Sequence, residues 1–598
     1  MQNQKPPDLT EGASSSHQLL TMCPKPKLDW SRDGTPASDQ FGDIYFSVEG
    51  GLEETQQVYL KACALPVRWD VTRGFFTIAE LGFGTGLNFL ATWKLWDEKS
   101  HNTERLHFIS VEKYPLDKAE LKKALEFWPV LKPWSKQLVQ QWPGRVKGTH
   151  RLEFGKVTLT LIHDDVKRAL LRQSFQADAW FLDGFSPARN PDMWSSDVLG
   201  RVGELSAGGA RVGTFTAAGS VRTALKDAGF DVKKVEGFGR KRHRIEAIMP
   251  NKTQTSRQEI RPVIIGAGIA GASLVRSFMK RGIMPIVIDA GTGTAASGNP
   301  AAIIKPRLDR QDKPDARFFL SSYLYALNVY NREGAVLHEG VFHAAINEAL
   351  KSRFQALVKQ SPLPADQMMW QHGPFNTEGL YFPKALIIDP IKTLSKLMQG
   401  VKPIKTKVKD IQKIDDVWHV MGRDEQVITK ATHVICAMGA GVRDFSIFQD
   451  LGLRFSRGQL TWVEPNALDK PISYGGYAIP MQNGLLIGAT HDRLDGKDIY
   501  EPRAEDDEKN IEAFEKISKV TAKTLPQPSR VSVRVNTPQT WPVRYNFGDD
   551  LWGISGLGSR GFVSAPLLSE AIVSEISGEP SPIETDLFLK KLARKKAP

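Results

Sequence analysis

Over the first 250 positions, short apolar runs alternate with longer stretches that are apolar on one face only. Phe75–Leu81, Leu106–Val111, Val157–Ile162, Ala179–Leu182 and Arg211–Phe215 read as strands, and Pro115–Phe127 and Asp165–Leu171 as helices between them. This alternation predicts a parallel sheet covered on both faces. Phe230–Glu236 followed by Ile245–Met249 predicts a hairpin that closes the sheet. Residues 251–259 are polar without period and read as a linker. The pattern then restarts. Pro262–Gly266 is an apolar strand, a helix follows from Ala270 to Arg281, and Met284–Asp289 is the next strand, which makes a βαβ unit. Val417–Met421 and Gly484–Ala489 suggest an inserted antiparallel sheet, and Phe342–Leu357 reads as a helix. The expected organisation is a flexible segment over 1–38, an α/β unit over 39–250, a linker, and a second α/β unit over 260–598.

Each unit opens on a glycine-rich turn between a strand and a helix. In the first, Glu80-Leu-Gly-Phe-Gly-Thr-Gly86 sets an acid, Glu80, before the glycines as a candidate cofactor-binding residue and places Gly82, Gly84 and Gly86 where the backbone turns tightly and approaches a ligand. Glu112 ends the next strand, where a carboxylate accepts the ribose hydroxyls of a nucleoside. Asp165 begins the helix after the third strand and is a candidate acceptor for an adenine amine. Asp164 competes for that role, and helix capping is the alternative for either. The spacing GxGxG, without the GxGxxG of a dinucleotide site, suits S-adenosylmethionine, which has no pyrophosphate. Asp183 closes the fourth strand ahead of a loop rich in Pro and aromatic residues, a candidate substrate wall.

In the second unit, Val263-Ile-Ile-Gly-Ala-Gly-Ile-Ala-Gly271 is GxGxxG between a strand and a helix. Gly266 makes the turn, Gly268 admits a pyrophosphate and Gly271 lets the helix pack closely. Asp289 ends the second strand as the ribose-binding acid. These features fit NAD and FAD equally. Ser297, Gly298 and Asn299 directly after the acid, Gly439 after an apolar strand, and a late turn with Gly556, Gly558 and Gly561 favour FAD.

Composition changes the picture in one respect. The 598 residues imply more than one domain. The net charge of +12, from 79 basic and 67 acidic residues, favours a polyanionic partner, nucleic acid being the commonest. Arg240-Lys-Arg-His-Arg244 is the densest basic run within a folded unit, and Lys590, Lys591, Arg594, Lys595 and Lys596 make a basic tail. Trp128 and Trp134 lie among lysines, as base-stacking surfaces or as core. Three cysteines, Cys23, Cys63 and Cys436, form no closed disulfide set and no metal-ligand pair. With no signal-peptide core in 1–25 and no apolar run long enough to span a bilayer, the expectation is a cytoplasmic protein that binds no metal and no membrane. Oligomeric state is not legible.

The segments FGDIYFS (Phe41–Ser47), GLEET (Gly51–Thr55), ELGFGTGLNF (Glu80–Phe89), LDGFSPARNPDMW (Leu182–Trp194) and GFGRKR (Gly237–Arg242) together resemble the methyltransferase half of the bifunctional tRNA 5-methylaminomethyl-2-thiouridine biosynthesis family. The second unit resembles the D-amino-acid oxidase and glycine oxidase flavoproteins, and equally the oxidoreductase half of that tRNA family. The resemblance implies a class I Rossmann-like methyltransferase domain, then an FAD-binding Rossmann-like domain with an inserted antiparallel substrate sheet. It implies FAD and S-adenosylmethionine as cofactors and the wobble uridine of tRNA as substrate. The FAD half would remove the carboxymethyl group from 5-carboxymethylaminomethyl-2-thiouridine, and the other half would methylate the amine released. Arg560 is then the first choice for the substrate carboxylate, with Arg534 and Arg544 weaker candidates, and Asp183 for positioning and deprotonating the amine. Two departures stand out. Asp289 occupies a position where such flavoproteins usually carry Glu, and Ala301 and Ala302 stand where at least one Gly is expected.

Overall fold

The computed structural model describes residues 18–32, 34–46, 50–72, 74–99, 103–239, 241–251, 259–291, 295–494 and 500–587. Linker residues 252–258, Arg240 of the basic run and the tail lysines and arginine lie outside the described residues.

The first unit is built on an eight-stranded sheet. In spatial order its strands are Asp231–Glu236, His243–Ile248, Ser206–Thr214, Ala177–Leu182, Gly74–Leu81, Thr103–Val111, Val157–His163 and Gly148–Phe154. The central five are parallel and the hairpin at one edge is antiparallel. Chain order reverses between Gly74–Leu81 and Ala177–Leu182, so a crevice opens beyond their carboxyl ends. Both strands are mainly apolar and buried over most of their length, as expected of a sheet covered on both faces.

The second unit holds a six-stranded sheet in the order Ile404–Lys405, Ile286–Asp289, Pro262–Ile265, His433–Cys436, Leu551–Ser555, Val543–Gly548, parallel except at the last strand. Helices Ile269–Met279 and Gly561–Ile576 pack together over it. An eleven-stranded, mainly antiparallel sheet stands beside it, with the long strands Val336–Ala344, Thr377–Ile388 and Arg454–Glu464.

Three expectations need correction. Residues 28–38, read as part of a flexible segment, form strands Leu28–Arg32 and Thr35–Ser38 of a small sheet. Just before them, Leu20 and Cys23 are buried, and the backbone is stitched to both units. The Leu20 N–H donates to Arg310 O at 2.9 Å, Met22 N–H to Ser361 O at 3.1 Å, and Cys23 N–H to Arg145 O at 2.7 Å. A polar composition conceals this, because backbone groups carry the contacts. Second, Phe342–Ala344 is strand, and the helix begins only at Glu348, where the Asn347 side chain accepts from the Leu350 N–H. Third, Val417–Met421 belongs to a separate three-stranded sheet, whereas Gly484–Gly488 lies in the large one.

The two units meet along Gly148–Phe154, an edge strand buried at every position because helix Pro314–Glu333 covers it. Near its end Glu153 accepts from Arg276 at 2.8 Å and Arg332 at 3.1 Å, and also from Lys280 and the Tyr325 hydroxyl. Alongside, Arg281 pairs with Glu570 at 2.9 Å and Glu579 at 2.6 Å, and Glu579 faces Arg105 and His107 of the first unit. The surrounding cations hold the Glu153 and Glu579 carboxyls well below the usual carboxylate range, overriding their burial.

Candidate active sites

The first crevice is a cavity of about 940 Å³. Gly82, Gly84, Glu112, Asp164, Asp165 and Asp183 all line it. Gly82 sits at φ +89°, and a Cβ there would come within 3.1 Å of the Gly184 backbone, so the turn requires glycine. Glu112 accepts from the N–H of Gly84 at 2.9 Å and of Tyr114 at 2.8 Å, which ties the acid after one strand to the turn after its neighbour. Burial raises its carboxyl and these donors oppose the rise. Asp165 caps its helix by accepting from the Lys167 N–H, and pairs with Lys113 at 3.0 Å. The competing Asp164 is committed to Arg168 at 2.6 Å and Arg172 at 3.0 Å.

Asp183 lies at the cavity floor. It accepts from Asn88 Nδ2 at 2.8 Å, from the Gly184 N–H at 2.7 Å and from the Tyr59 hydroxyl. Burial pushes its carboxyl up to about 6 against those hydrogen bonds. That places a proton acceptor close to neutral pH. The loop after it supplies a wall. Phe185 stacks on Phe41 with centroids 4.6 Å apart, and Trp194 Nε1 donates to Phe185 O at 3.0 Å.

Glu80 and Gly86 do not line the cavity. The Glu80 side chain turns inward, accepting from Ser110 Oγ at 2.6 Å and Asn88 Nδ2 at 3.0 Å, and burial raises its carboxyl well above the usual range. Gly86 packs against the Phe83 ring. Asn88 therefore bridges two acids and reaches the cavity itself, as do Tyr45 and Tyr59. Residue-level reading missed these three; the only signal was their place inside or beside the FGDIYFS, GLEET and ELGFGTGLNF segments.

The second site forms where the six-stranded sheet meets the eleven-stranded one. A Cβ on Gly271 would stand 1.8 Å from Gly266 O, and one on Gly266 2.4 Å from Ala437 O, so strand, helix and the neighbouring turn are in glycine-only contact. Gly268 caps helix Ile269–Met279. Asp289 accepts from the Ala267 N–H at 2.7 Å, placing its carboxylate beside the turn despite its short side chain. Ser297 Oγ accepts from the Ile269 N–H at 3.0 Å, Gly298 lies in the same short turn, and Asn299 Oδ1 accepts from Arg530 Nε at 3.2 Å. Ala301 and Ala302 lead into strand Ala302–Ile304 without positive φ, so no glycine is needed there. Gly556 and Gly558 take positive φ under Thr537 and Asn536, and Gly561 brings the late turn to Ile269. A Cβ on Gly439 would meet no other part of the protein, and its φ of +55° is what favours glycine there.

Arg560 caps the last helix beside this turn. Protein surrounds most of its guanidinium, yet it remains open to solvent, and burial lowers its pKa together with Arg307. The alternatives are otherwise engaged. Arg544 is paired with Glu575, and buried Arg534 donates to Thr490 O at 3.1 Å. Of the basic run, Lys241 faces Glu54 at 3.6 Å and Arg244 pairs with Glu246 at 2.6 Å. Trp128 is buried in the core and Trp134 packs against it.

Among the described residues, no helix is long and apolar enough to cross a membrane, and no group of three or more His, Cys, Asp or Glu is placed to hold a metal ion. All three cysteines are free and buried.

Known proteins match both units. Residues 129–250 match an S-adenosyl-L-methionine-dependent methyltransferase family, and residues 262–575 match the FAD dependent oxidoreductase family. The tRNA 5-methylaminomethyl-2-thiouridine biosynthesis bifunctional protein of Maricaulis maris is 37% identical over 565 residues, 93% of each chain. That of Caulobacter sp. is 38% identical over 584 residues, covering 94% of this chain and 96% of the relative. Among solved structures, glycine oxidase from Bacillus cereus is 17% identical, with TM-score 0.46, covering 54% of this chain and 95% of its own.

Proposed function

Because this chain belongs to the family of tRNA 5-methylaminomethyl-2-thiouridine biosynthesis bifunctional proteins, we propose that its two sites act in turn on one wobble uridine of tRNA. The chain is an enzyme with two activities, an FAD-dependent oxidoreductase and an S-adenosylmethionine-dependent methyltransferase. The observation that carries the division of labour is the opposite charge of the two sites. One is lined by Glu112, Asp165 and Asp183; at the other, Arg560 caps the last helix beside the late glycine turn.

The substrate of the oxidative step is 5-carboxymethylaminomethyl-2-thiouridine, whose substituent ends in a carboxylate. Arg560 binds that carboxylate and so orients the adjoining carbon. Gly266, Gly268 and Gly271 with the helix N-terminus hold the pyrophosphate of FAD, and Asp289 its ribose. Ser297, Gly298, Asn299, Gly439, Gly556, Gly558 and Gly561 shape the remaining backbone around it. Bound FAD supplies the two-electron oxidation of the carbon next to the amine. Hydrolysis then releases glyoxylate and leaves an aminomethyl group.

That amine enters the first cavity as an ammonium. Glu112 and Asp165 hold the ribose and adenine of S-adenosylmethionine. Asp183 takes a proton from the ammonium and directs the nitrogen lone pair at the donor methyl. Tyr59 and Asn88 fix the carboxylate, and Glu80 acts through Asn88 as a positioning residue. Net positive charge favours binding of the tRNA backbone.

The test is nucleoside mass spectrometry of tRNA carrying the carboxymethylaminomethyl base. With FAD alone the aminomethyl base accumulates, and adding S-adenosylmethionine converts it to the methylaminomethyl base. Fast oxidation of free glycine or sarcosine with no change in the tRNA would overturn the reading in favour of a small-molecule amine oxidase.

A further inference from the structure

Lys305 is a partly buried lysine beside the oxidative site, and neither its sequence context nor the assignments above give it a task. It follows directly on strand Ala302–Ile304, which pairs antiparallel with Thr377–Ile388 at the edge of the eleven-stranded sheet. The same short segment begins at Ser297, which accepts from the first N–H of the nucleotide-binding helix. Residues 297–305 therefore run from the FAD turn to the substrate sheet, and Lys305 stands at the end of that path. Its ammonium donates to Ser473 Oγ at 2.8 Å.

The charges around Lys305 are unusual. Arg560, from the last helix, is the ionisable group that bears on it, and it is cationic. His343, on strand Val336–Ala344 one strand further into the sheet and paired with Ser473, is held neutral by burial and by repulsion from Lys305, Arg560 and Arg353, with a pKa of about 2. Arg307 and Asp309 bear on Arg560 from the following loop, and Arg307 also faces Asp315. No carboxylate pairs with Lys305 itself among the described residues. Burial and the neighbouring guanidinium together lower its pKa to about 7.

Resting on the reading of the second site as the place where the carboxymethylaminomethyl group is oxidised, we propose that Lys305 is the proton acceptor for the substrate's secondary ammonium. Arg560 holds the carboxylate, and the ammonium lies one carbon away from it. The N–H bond of the substrate breaks, its proton passes to the neutral Lys305 Nζ, and the electron pair stays on the substrate nitrogen. Only an amine with that lone pair supports removal of two electrons from the adjoining carbon. The Ser473 hydroxyl holds Nζ toward the site. The alternative, a protonated lysine that simply adds a second cation for the carboxylate, predicts a different outcome.

The test compares Lys305→Met and Lys305→Arg with the wild type in single-turnover oxidation of tRNA carrying the carboxymethylaminomethyl base. The wild-type rate should rise with pH through about 7, where Lys305 loses its proton. Both variants should lose about a hundredfold near neutral pH, and the loss should shrink toward the pKa of a free alkylamine, about 10. Retained activity in Lys305→Arg, or a loss independent of pH, would show that the lysine acts only as a cation and overturn the proposal. Methylation of an aminomethyl tRNA and the spectrum of bound flavin verify that both variants are folded. Competitive acetylation of the flavin-free wild type between about pH 5 and pH 10, followed by mass spectrometry, titrates Lys305 directly. Half-reactivity near the ordinary lysine value would likewise sink the idea, whatever the variants do. Wild-type protein that oxidises no tRNA at all would fail the parent reading instead, a distinct result.

Discussion

The two sites lie at the carboxyl ends of parallel strands, each beside a glycine turn, yet they treat charge in opposite ways. In the first, burial raises the carboxyls of Asp183 and Glu112, so the site gains by receiving a cation. In the second, desolvation and the nearby Arg307 lower the pKa of the Arg560 guanidinium, so that site gains by receiving an anion. A desolvated charge shifts toward its neutral form unless an opposite charge joins it. The ligands proposed for each site are of the matching sign: a sulfonium and an ammonium in one, a carboxylate and a pyrophosphate in the other. A single substituent satisfies both in succession, because loss of the carboxymethyl group turns a substrate with an anionic end into one with only a cationic end.

The sharpest way to break this contrast is Asp183→Asn. It keeps shape and the Asn88 contact but removes the proton acceptor, so methylation should fall by about a hundred- to ten-thousandfold while oxidation continues. The tRNA should then accumulate the aminomethyl base. Normal methylation by a folded variant would remove the role assigned to Asp183, and S-adenosylmethionine affinity must be measured beside it.

On the cationic side, Arg560→Ala removes a charged hydrogen bond worth roughly 1.5–3 kcal/mol, so oxidation should fall about ten- to a hundredfold and methylation of a supplied aminomethyl base should not change. Equal losses in both assays would trace the effect to folding or to tRNA binding.

Between the sites, Glu153→Gln tests whether they depend on their shared interface. The variant leaves Arg276 and Lys280, both largely enclosed, and the more exposed Arg332 without their common anion. Thermal or denaturant unfolding should show a loss of about 3–5 kcal/mol, and both activities should decline together. Because the Glu153 pKa is lowered on folding, its stabilisation is complete above the unfolded carboxylate range. It is lost only as pH falls toward the depressed folded value. An unchanged midpoint would mean that the units fold without regard to this contact.

The smallest effect is in the pH profile. With the Asp183 carboxyl near 6, the methylation rate at saturating S-adenosylmethionine should rise as pH increases through about 6, because the ionised form accepts the proton. A profile flat through that range would separate the measured step from Asp183.

Both glycine turns and the acids Glu112, Asp183 and Asp289 were legible because each is a local requirement. A backbone that must turn beside a strand end admits glycine, and a carboxylate at a strand end needs no distant partner to be placed there. Other features were hidden for the opposite reason. Asn88 and Tyr59 matter only because a helix and a remote π-helical turn, Thr55–Leu60, converge on Asp183. Glu80 reads from sequence as a ligand-binding acid, yet Ser110 and Asn88 draw it into the core. Lys305 follows an unremarkable apolar stretch, and Arg560, the cation that bears on it, comes from the far end of the chain.

The sequence by itself determined two α/β units, a glycine-rich turn between strand and helix in each and the sign of the overall charge, since periodicity and turn chemistry are properties of neighbouring residues. Tertiary structure alone decided which ionisable groups carry charge and how the halves join. Protonation depends on desolvation and on groups brought from other segments. Edge strand Gly148–Phe154 is closed by a helix lying more than a hundred residues further along the chain, and Glu153 acquires its cations only when that helix and its neighbours pack against it.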